Sequence, residues 1–309
     1  DIAAVIVNHN VRDLVLGCLT SLGPARAAGD ITSVVVVDSG SSDDSVAAIQ
    51  AQFPEVTVVA TANLGYGAAV NLGIAATVEP LVLALNPDTE LHPDAVVRLR
   101  TAMCQHPYAG IAGPRLLYPD GAEQPSRRRF PTRLTPLFES TTLGRAWPDN
   151  PWARRFYLHD VEAHGVQYVD WVVGACLLLR RSAVDQCGGF DPEFFLYSEE
   201  VELSYRFRKH GWRTLWVPDA LVVHHEGASS SGDSLKRQRR FDYGRVLLAE
   251  RMYGKRTASG LRVTLRAGYA AELLLETLKW LVGHRRGLRQ ERIAKYSTLL
   301  RHGIRGELA

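Results

Sequence analysis

The sequence predicts an α/β fold in which helices flank a mostly parallel sheet, followed by a C-terminal helical extension. Short apolar runs rich in β-branched residues alternate with helical patterns in the first third of the chain, as in parallel strands joined by crossover helices. Polar residues follow these runs at Asn8, Asp38, Asn63 and Asp88. Ligands of such sheets bind at the carboxyl ends of the strands, so these residues predict a single crevice.

The N-terminal part contains four predicted strands, which are residues 2–7, 33–38, 56–60 and 81–85. Each is a short, largely apolar run, and a helical pattern follows each one. Asn10 suits the N-cap of the first helix, and Pro93 suits the first residue of the fourth. The short connections predict that the four strands lie parallel in one sheet.

The predicted first domain, residues 1–234, becomes less regular after its fourth strand. Proline is frequent in residues 119–165, which predicts a long and partly mobile connection. Structureless loops of this length are usually functional or disordered. Regular patterns then return as strands at 166–173 and 175–181, a short helix at 182–187 and a strand-like run at 215–225.

Residues 235–309 form the predicted extension, which contains two amphipathic helices. One apolar stripe consists of Val263, Ala267, Ala270, Leu274, Leu278 and Leu281. The opposite face carries Arg262, Arg266, Glu272, Glu276 and Lys279. A second helix is predicted near 288–302. These helices are expected either to lie on a membrane surface or to pack against protein, in the same chain or in a homodimer.

Charge is distributed unevenly, although the formal net charge is only +3. From Lys236 onward there are 18 Lys and Arg residues against 6 Asp and Glu residues, whereas residues 1–235 contain 18 against 27. The basic tail therefore favours an anionic partner, such as a membrane surface, a nucleic acid or phosphate groups.

The cysteines argue against a zinc site or a disulfide framework. Cys18, Cys104, Cys176 and Cys187 are scattered, without a C-x-x-C pair. A reducing cytosol is therefore expected. The chain opens directly on a strand pattern, so no signal peptide is expected, and no apolar run reaches the ~18–20 residues of a membrane span.

Asp38 ends the second predicted strand and precedes the segment SGSSDDS. A carboxylate in this place can accept hydrogen bonds from a base or a ribose. The serines that follow are better explained by a turn or a helix cap. The residues alone leave both interpretations of Asp38 open.

The glycine-rich segment 63–71, NLGYGAAVN, precedes a helical pattern. Two glycines there could let the backbone approach a diphosphate at the helix N-terminus. The segment matches neither G-x-G-x-x-G nor a P-loop. Taken alone, a tight turn with close helix packing explains Gly65 and Gly67 better.

Asn86-Pro87-Asp88 closes the fourth predicted strand. Pro87 restricts the backbone, so the side chains of Asn86 and Asp88 can face the same side. Mg²⁺ or Mn²⁺ bound to substrate phosphates often uses only one or two carboxylates. The tripeptide is therefore either a metal site or, as an isolated pattern, a turn.

Glu199, Glu200 and Glu202 form an acidic cluster behind Ser198. Ser198 is a good helix N-cap, and acids in a first turn interact favourably with the helix dipole. The preceding aromatic segment FDPEFFLY also provides an apolar setting that could raise a carboxylate pKa toward that of a general base.

His224 and His225 follow the last strand pattern. An imidazole there could bind a metal or have a partly buried structural role. Adjacent strand residues face opposite ways, so at most one of the two is expected to reach the crevice.

The order of these motifs resembles that of the family 2 inverting glycosyltransferases, which have the GT-A fold. The motifs are, in order, strand–Asn8, strand–Asp38, N-x-G-Y-G-x-x-x-N, N-P-D, W-x-x-G-A, G-G-F-D-x-x-F-F, an acidic pair before x-E-x-x-x-R, and H-x-x-G-x-S. The resemblance covers residues 1–232. It is greatest for bacterial rhamnosyltransferases that act on N-acetylglucosaminyl-diphosphoryl-polyprenol.

The resemblance implies a role for each matched position. Nucleotide-sugar binding is implied for Asn8, Asp38, Asn63, Gly65, Gly67, Asn86 and Asp88. Acceptor binding is implied for Trp171, Gly174 and Ala175, and metal binding for Asp88 and His224, with His225 as the alternative to His224. The family usually has Glu-Asp where this chain has Glu199-Glu200, so which of the two is the general base stays open.

The resemblance also implies the partners. The donor is a nucleotide diphosphate sugar, in the first instance dTDP-β-L-rhamnose, the acceptor is a polyprenyl-linked saccharide, and the cofactor is Mg²⁺ or Mn²⁺. The expected location is cytoplasmic, on the inner face of the cell membrane, with the basic helices on the lipid and no nucleic acid bound.

Three alternatives remain at this point. The same fold could use a galactofuranosyl, glucosyl or N-acetylglucosaminyl donor. A nucleotidyltransferase would be expected to have a basic, glycine-rich loop after its first strand, where this chain has Asn8-His9-Asn10. A non-catalytic membrane or nucleic-acid binding module would leave the acids at Asp38, Asp88 and 199–200 unexplained.

Overall fold

A computed structural model of the chain describes residues 1–139, 141–225 and 234–304. The described residues divide into two compact units, one within Asp1–Phe130 and Tyr157–Ser231, the other within Pro131–Phe156 and Gly232–Ala309. Residues 131–156 therefore group with the C-terminal helices, although they lie inside the connection predicted for the first domain.

The first unit is built on a ten-stranded sheet. The strands of the chain are β1 (Ile2–Asn8), β2 (Ile31–Asp38), β3 (Thr57–Ala60), β4 (Leu81–Leu85), β5 (Thr89–Leu91), β6 (Ala109–Leu117), β7 (Glu123–Gln124), β8 (Arg127–Arg128), β9 (Gln167–Val169), β10 (Trp171–Val172), β11 (Cys176–Arg180) and β12 (Arg213–His224). The main order is β3-β2-β1-β4-β11-β6-β12-β5, with β7 beside β6 and β9 beside β12. β8 and β10 form a separate antiparallel pair.

The helices lie in both units, and α6, α7, α8, α11, α12 and α13 belong to the second. They are α1 (Arg12–Ser21), α2 (Gly23–Ala27), α3 (Ser45–Gln52), α4 (Tyr66–Ala75), α5 (Ala95–Gln105), α6 (Thr135–Phe138), α7 (Thr142–Ala146), α8 (Pro151–Phe156), α9 (Arg181–Cys187), α10 (Glu199–Lys209), α11 (Ser234–Tyr253), α12 (Lys255–Leu281) and α13 (Arg286–His302).

The sheet is mostly parallel, as predicted. β3, β2, β1 and β4 run parallel to their neighbours, and β6 runs parallel to β12. β11 is inserted antiparallel between β4 and β6. Because of this reversal Cys176, the first residue of β11, pairs with Leu85, the last residue of β4. The segment that enters β11 therefore reaches the carboxyl edge of the parallel strands.

Apolar side chains project from both faces of the sheet. This explains why the strand sequences are continuous apolar runs rather than alternating apolar and polar residues. In β1, Ile2, Ala4 and Ile6 pack into one core. Val5 and Val7 pack into a second core on the other face, which includes α4 residues. Helices cover both faces of the central strands, so β1 and β4 have no solvated side.

Two predicted helix starts are wrong. Asn10 has a left-handed backbone (φ 54°), and its Oδ1 accepts a hydrogen bond from Ser42 N (2.6 Å). It ties two loops together, and Val11 precedes α1 without a side-chain cap. The fourth helix begins at Ala95, after Pro93. At Asn10 this tertiary contact of the loop displaced the local capping signal.

The connection predicted at 119–165 contains regular structure among its described residues. β7 and β8 lie in it, as do α6, α7 and α8. The prolines begin or flank short elements, since Pro136 and Pro151 lie in the first turns of α6 and α8. Proline tolerates these positions because the first helical N–H groups need no partner within the helix.

The second unit has its own small core, formed by Val246, Ala249, Ala258, Leu261 and Leu265 with a contribution from Ile304. α12 packs between α11 and α13. Among the described residues, no helix combines the length and the apolar character that a membrane crossing requires.

A glycine substitution tests the packing of α4 on β1. A Cβ at Gly73 would lie 2.2 Å from Val5 Cγ1, so Gly73→Ala should lower the free energy of unfolding by about 1–3 kcal/mol through overpacking. At Gly17, in α1, the nearest atom to an added Cβ is 3.8 Å away. Gly17→Ala should therefore be neutral or stabilise by up to about 1 kcal/mol. Urea denaturation measures both, and equal midpoints would contradict the close α4–β1 packing.

Candidate active site

The Asn86-Pro87-Asp88 turn lies where β4 ends, and two distant segments hold its backbone. Asn86 N donates a hydrogen bond to Ala175 O (2.9 Å), and His225 N donates one to Asp88 O (2.9 Å). The turn leads directly into β5, which pairs with β12. The tripeptide is therefore a corner, and the same corner places Asp88 beside the end of β12.

Asp88 and His224 face each other at this edge. Asp88 Oδ1 is 3.5 Å from His224 Nε2, and His224 Nδ1 is 2.9 Å from Gln124 Oε1. Both side chains of the pair are buried. His225 faces the other way, with Nε2 3.0 Å from Glu90 Oε1. Of the two histidines, His224 is the one that reaches Asp88.

The Asp88–His224 pair fits a divalent cation. The carbonyl oxygen of Gln124 accepts the proton of Nδ1, so a neutral His224 directs the lone pair of Nε2 toward the carboxylate. A cation between the two groups would meet a carboxylate oxygen, which suits Mn²⁺ or Mg²⁺, and an imidazole nitrogen, which is a common metal ligand. Among the described residues, no group of three or more His, Cys, Asp or Glu could hold a metal. Water and a bound diphosphate would therefore have to supply the other ligands.

Glu199 and Glu200 begin α10 after a strained entry. Tyr197 (φ 74°) and Ser198 (φ 72°) are both left-handed, a conformation that costs about 1–3 kcal/mol for each such residue and that is common at functional sites. Ser198 occupies the N-cap position but makes no side-chain capping hydrogen bond. Ser198 therefore has the predicted N-cap position without capping through its side chain, and the acids lie in the first turn, where they interact favourably with the helix dipole.

The two acids have different environments. Burial raises the pKa of Glu200 to about 7, although backbone N–H groups, including that of Gly174, and the charge of Arg128 act in the opposite direction. Burial raises the pKa of Glu199 well above its usual range, and the charge of Glu200 adds to this. For each acid, Oε2 has no hydrogen-bond partner among the described residues. Burial and the charge of Glu200 therefore favour the protonated form of Glu199, whereas Glu200 titrates where a general base is most effective.

Tyr66 connects the acidic pair with Asp88. Its hydroxyl donates to Gly174 O (3.3 Å). Desolvation raises the pKa of Tyr66 well above its usual range, and the charges of Glu199, Glu200 and Asp88 contribute in the same direction. All three carboxylates are therefore near Tyr66, which stays protonated and remains a hydrogen-bond donor. The charges of the acidic pair and of Asp88 thus act on this one side chain.

A second polar network joins the ends of β1 and β2. Asn8 Nδ2 donates to Asp38 Oδ1 (2.8 Å) and to Ser41 Oγ (3.0 Å). Ser41 N donates to Asp38 Oδ2 (2.9 Å). Asn8 and Asp38 are buried, so both hold the serine-rich loop in place. Their contact with a nucleotide stays a prediction.

Close packing explains the glycines of the 63–71 segment. Gly65 has φ 92°, and an added Cβ would lie 2.4 Å from Phe195 O. A Cβ on Gly67 would lie 2.8 Å from Phe190 Cβ. Asn63 is exposed, and its Oδ1 accepts a hydrogen bond from Gly65 N (3.3 Å). The glycines thus let α4 approach the segment before the acidic pair, and diphosphate binding by this loop stays a prediction.

The residues matched to the acceptor site have identifiable packing roles. Trp171 is buried, and its Nε1 donates to Arg129 O (3.0 Å). Gly174 lies against the side chain of Glu200, with an added Cβ 3.5 Å from Glu200 Cβ. Ala175 is buried beneath the Asn86 turn. Gly174 is therefore the one of the three whose backbone adjoins an acid of the site, and contact with an acceptor stays a prediction.

Glu202 has a structural partner. Arg206 forms two hydrogen bonds with its carboxylate (2.9 and 2.7 Å). The same guanidinium donates to the carbonyl oxygens of Cys187, Gly188 and Gly189. This clamp fixes the turn before the aromatic segment, so Glu202 supports the site without belonging to it.

Three residues of the site had no assigned role in the sequence. Tyr66 lies inside the N-x-G-Y-G motif, which was a usable signal. Gln124 and Arg128 lie in the proline-rich connection, where no local pattern marks them. The last residues of the H-x-x-G-x-S motif, Gly227 and Ser229, lie outside the described residues.

Comparisons with known proteins identify the family. The family model "Glycosyltransferase like family 2" matches residues 1–244. An N-acetylglucosaminyl-diphospho-decaprenol L-rhamnosyltransferase of Mycobacterium tuberculosis is 37% identical over 253 residues, which cover 77% of this chain and 81% of the relative.

Solved structures show the same fold at low sequence identity. A mannosyltransferase from Pyrobaculum calidifontis, in complex with GDP-Man and Mn²⁺, is 15% identical with a TM-score of 0.55, covering 97% of this chain and 86% of that one. GalNAc-T7 with UDP, GalNAc and Mn²⁺ is 15% identical with a TM-score of 0.58, covering 97% and 56%. The predicted GT-A fold is confirmed.

The raised pKa of Glu200 predicts a pH-dependent cost of folding. An ordinary Glu titrates near pH 4.3, and Glu200 in the folded chain titrates at about 7. The folded state binds the proton more tightly, so its relative stability falls as the pH rises through this window. Glu200→Gln should raise the melting temperature more at about pH 8 than at about pH 5.

Glu90→Gln is the matched control, since the Glu90 side chain is half exposed. Thermal denaturation of the three proteins at both pH values measures the effect. An equal shift for Glu200→Gln at the two pH values would show that burial does not raise the pKa of Glu200.

Proposed function

The chain belongs to the glycosyltransferase-like family 2, and from this premise we propose that it transfers L-rhamnose from dTDP-β-L-rhamnose to N-acetylglucosamine carried on a polyprenyl diphosphate. Family membership makes the chain a glycosyltransferase. The sugar and the acceptor are proposed from the mycobacterial relative, which is 37% identical and of which the match covers 81%.

The main observation that supports the proposed reaction is the carboxylate pair beside Tyr66. Glu200 has a pKa of about 7, so it can take a proton from an acceptor hydroxyl at neutral pH. The acceptor oxygen then attacks the anomeric carbon from the face opposite the nucleoside diphosphate. The new carbon–oxygen bond forms as the bond to the diphosphate breaks, and the configuration inverts. Burial and the charge of Glu200 disfavour a second negative charge on Glu199 beside the base.

Asp88 and His224 are the proposed protein ligands of a divalent cation, with Asn86 beside them in the turn. When bound, the cation would neutralise charge that develops on the leaving diphosphate. Two structural neighbours contain Mn²⁺, which supports a divalent ion, and Mn²⁺ or Mg²⁺ suits this donor set. Asn8, Asp38, Asn63, Gly65 and Gly67 are proposed to bind the nucleotide part of the donor.

The acceptor sets the proposed location. A polyprenyl-linked saccharide lies in a membrane, so we place the reaction on the cytoplasmic face of the cell membrane, where the chain would meet both substrates. Trp171, Gly174 and Ala175 are the proposed border of the acceptor site, because Gly174 adjoins Glu200.

The substrate proposal is tested with purified chain, Mn²⁺ and a polyprenyl-diphosphoryl N-acetylglucosamine. dTDP-rhamnose should be the productive donor among dTDP-rhamnose, UDP-galactofuranose, UDP-glucose and UDP-N-acetylglucosamine. Glu200→Gln should lower the turnover number by at least about 100-fold, since a positioned base contributes about 10²–10⁴-fold. Transfer from a UDP-sugar alone would refute the choice of donor, and near wild-type turnover of Glu200→Gln would refute the base.

The metal proposal is tested by the adjacent histidines. Melting temperatures are measured with dTDP, UDP, GDP or ATP, with and without Mn²⁺, because a ligand that binds only the folded state raises apparent stability. His224→Gln should raise the Mn²⁺ concentration needed for half the dTDP-dependent shift by about tenfold or more.

His225→Gln is the matched control, because His225 faces Glu90 rather than Asp88. It should keep the wild-type Mn²⁺ dependence. Equal losses in the two variants, or no loss in His224→Gln, would remove His224 from the metal site.

A further inference from the structure

α12 shows inverted amphipathicity along its C-terminal half. Its inward face begins with Ala258, Leu261 and Leu265, which belong to the core of the second unit. The same helical face continues through Glu272 and Glu276, whose side chains are 14% and 2% exposed. The face that packs is therefore apolar at one end and acidic at the other.

Ion pairs within the second unit compensate these acids. Glu276 Oε2 accepts a hydrogen bond from Arg289 Nη1 of α13 (2.7 Å), and Arg292 is 3.4 Å from Oε1. Glu272 pairs with Arg145 of α7. Both side chains of the Glu276–Arg289 pair are buried. Removing a partner from such a pair is strongly destabilising, so this pair favours the rotation of α12 that points Glu276 inward.

The outward face of α12 is the apolar one. We call it the outer stripe, and it consists of Val263, Ala267, Ala270, Leu274, Leu275, Leu278, Leu281 and the adjoining Val282, all exposed. Leu274 is 61% exposed and Leu281 is 60% exposed. A helix in water normally buries such a stripe and exposes its acids. A contiguous apolar stripe that the fold itself leaves uncovered indicates a binding surface.

The charges around the outer stripe indicate what covers it. α12, described over its whole length, contains two acids, Glu272 and Glu276, and both face inward. Its exposed charged residues are the cations Lys255, Arg256, Arg266 and Lys279. Lys279 is paired with Glu276 (3.5 Å), so Lys255, Arg256 and Arg266 are the cations of α12 that are offered to a partner. A second copy of the chain would bring these cations together. An anionic surface would attract them.

The turn after α12 and the first residue of α13 are also cationic and exposed. Arg285 and Arg286 are exposed, and the guanidinium carbon of Arg286 lies 5.8 Å from the ring centroid of Trp280. Trp280 is 38% exposed. Tryptophan and arginine beside an apolar stripe are typical of segments at the boundary between lipid headgroups and acyl chains.

We propose that the outer stripe of α12 lies in the surface of an anionic lipid bilayer, parallel to the membrane plane, with the cations of α12 and of the following turn on the headgroups. Inward-facing Glu272 and Glu276 keep the other side of the helix on protein. This surface is independent of the transfer reaction, and it provides the contact that a lipid-linked acceptor requires.

The test is co-sedimentation of the full chain with phosphatidylcholine vesicles, with and without phosphatidylglycerol. The wild-type chain should bind the anionic vesicles, more weakly at high salt. A triple variant, Leu274→Gln, Leu278→Gln and Leu281→Gln, should bind at least about tenfold more weakly, because binding scales with buried apolar area. Its melting temperature should not fall, since the fold leaves these side chains exposed. Unchanged vesicle binding would overturn the proposal.

The control variant changes apolar side chains that are exposed elsewhere, Val78→Gln and Tyr108→Gln, at 89% and 72% exposure. It should bind vesicles as the wild type does. Arg285→Gln with Arg286→Gln should weaken binding to anionic vesicles by about fivefold per charge and reduce its salt dependence. No change in either quantity would contradict the role of the cations.

Trp280 gives a readout that does not depend on the apolar substitutions. Anionic vesicles should shift the tryptophan emission of the wild type to shorter wavelength, and Trp280→Phe should lose most of this shift. A full shift in Trp280→Phe would place the contact elsewhere. Sedimentation velocity tests the alternative occupant, a second copy of the chain. A wild-type dimer that becomes monomeric in the triple glutamine variant would show that a second copy covers the stripe.

Two controls separate this proposal from the transfer reaction. Glu200→Gln should bind vesicles as the wild type does. The triple glutamine variant should keep its turnover on a water-soluble, short-chain acceptor. Loss of transfer with vesicle binding intact would count against the proposed function alone, and the reverse result would count against the membrane surface alone.

Discussion

The antiparallel insertion of β11 between β4 and β6 is the constraint on which the site depends. Because β11 runs against β4, its first residue pairs with the last residue of β4. The backbone of Ala175 then receives Asn86 N, and Gly174 comes to lie against Glu200. A parallel strand in the same place would have put this segment at the opposite edge of the sheet, away from Asp88.

At that edge, the surroundings of each carboxylate, rather than its residue type, determine its chemical role. Asp88 faces an imidazole, which suits a group that holds a cation. Glu199 and Glu200 are desolvated beside each other, and burial raises both of their pKa values. A carboxylate that titrates near neutrality can accept a proton and release it again. The left-handed backbone at Ser198 is part of the cost of placing two acids in such surroundings.

In the second unit, a buried ion pair determines the orientation of a helix. Buried pairs contribute little net stability compared with apolar packing, but they penalise any arrangement that leaves one partner alone. Glu276 with Arg289 therefore specifies the rotation of α12 about its axis. With that rotation fixed, Leu274 and Leu281 face outward, where a soluble helix would place charge.

The sequence by itself determined the strands at 2–7, 33–38, 56–60 and 81–85 and, through the order of its motifs, the GT-A fold and the family, because these signals are local or linear. Only the tertiary structure decided that β11 is antiparallel, that His224 rather than His225 faces Asp88, and which face of α12 is buried. The place of Gln124 and Arg128 in the site could not be predicted from the sequence for the same reason. Each depends on register and burial between segments far apart in the chain, and no local pattern encodes those.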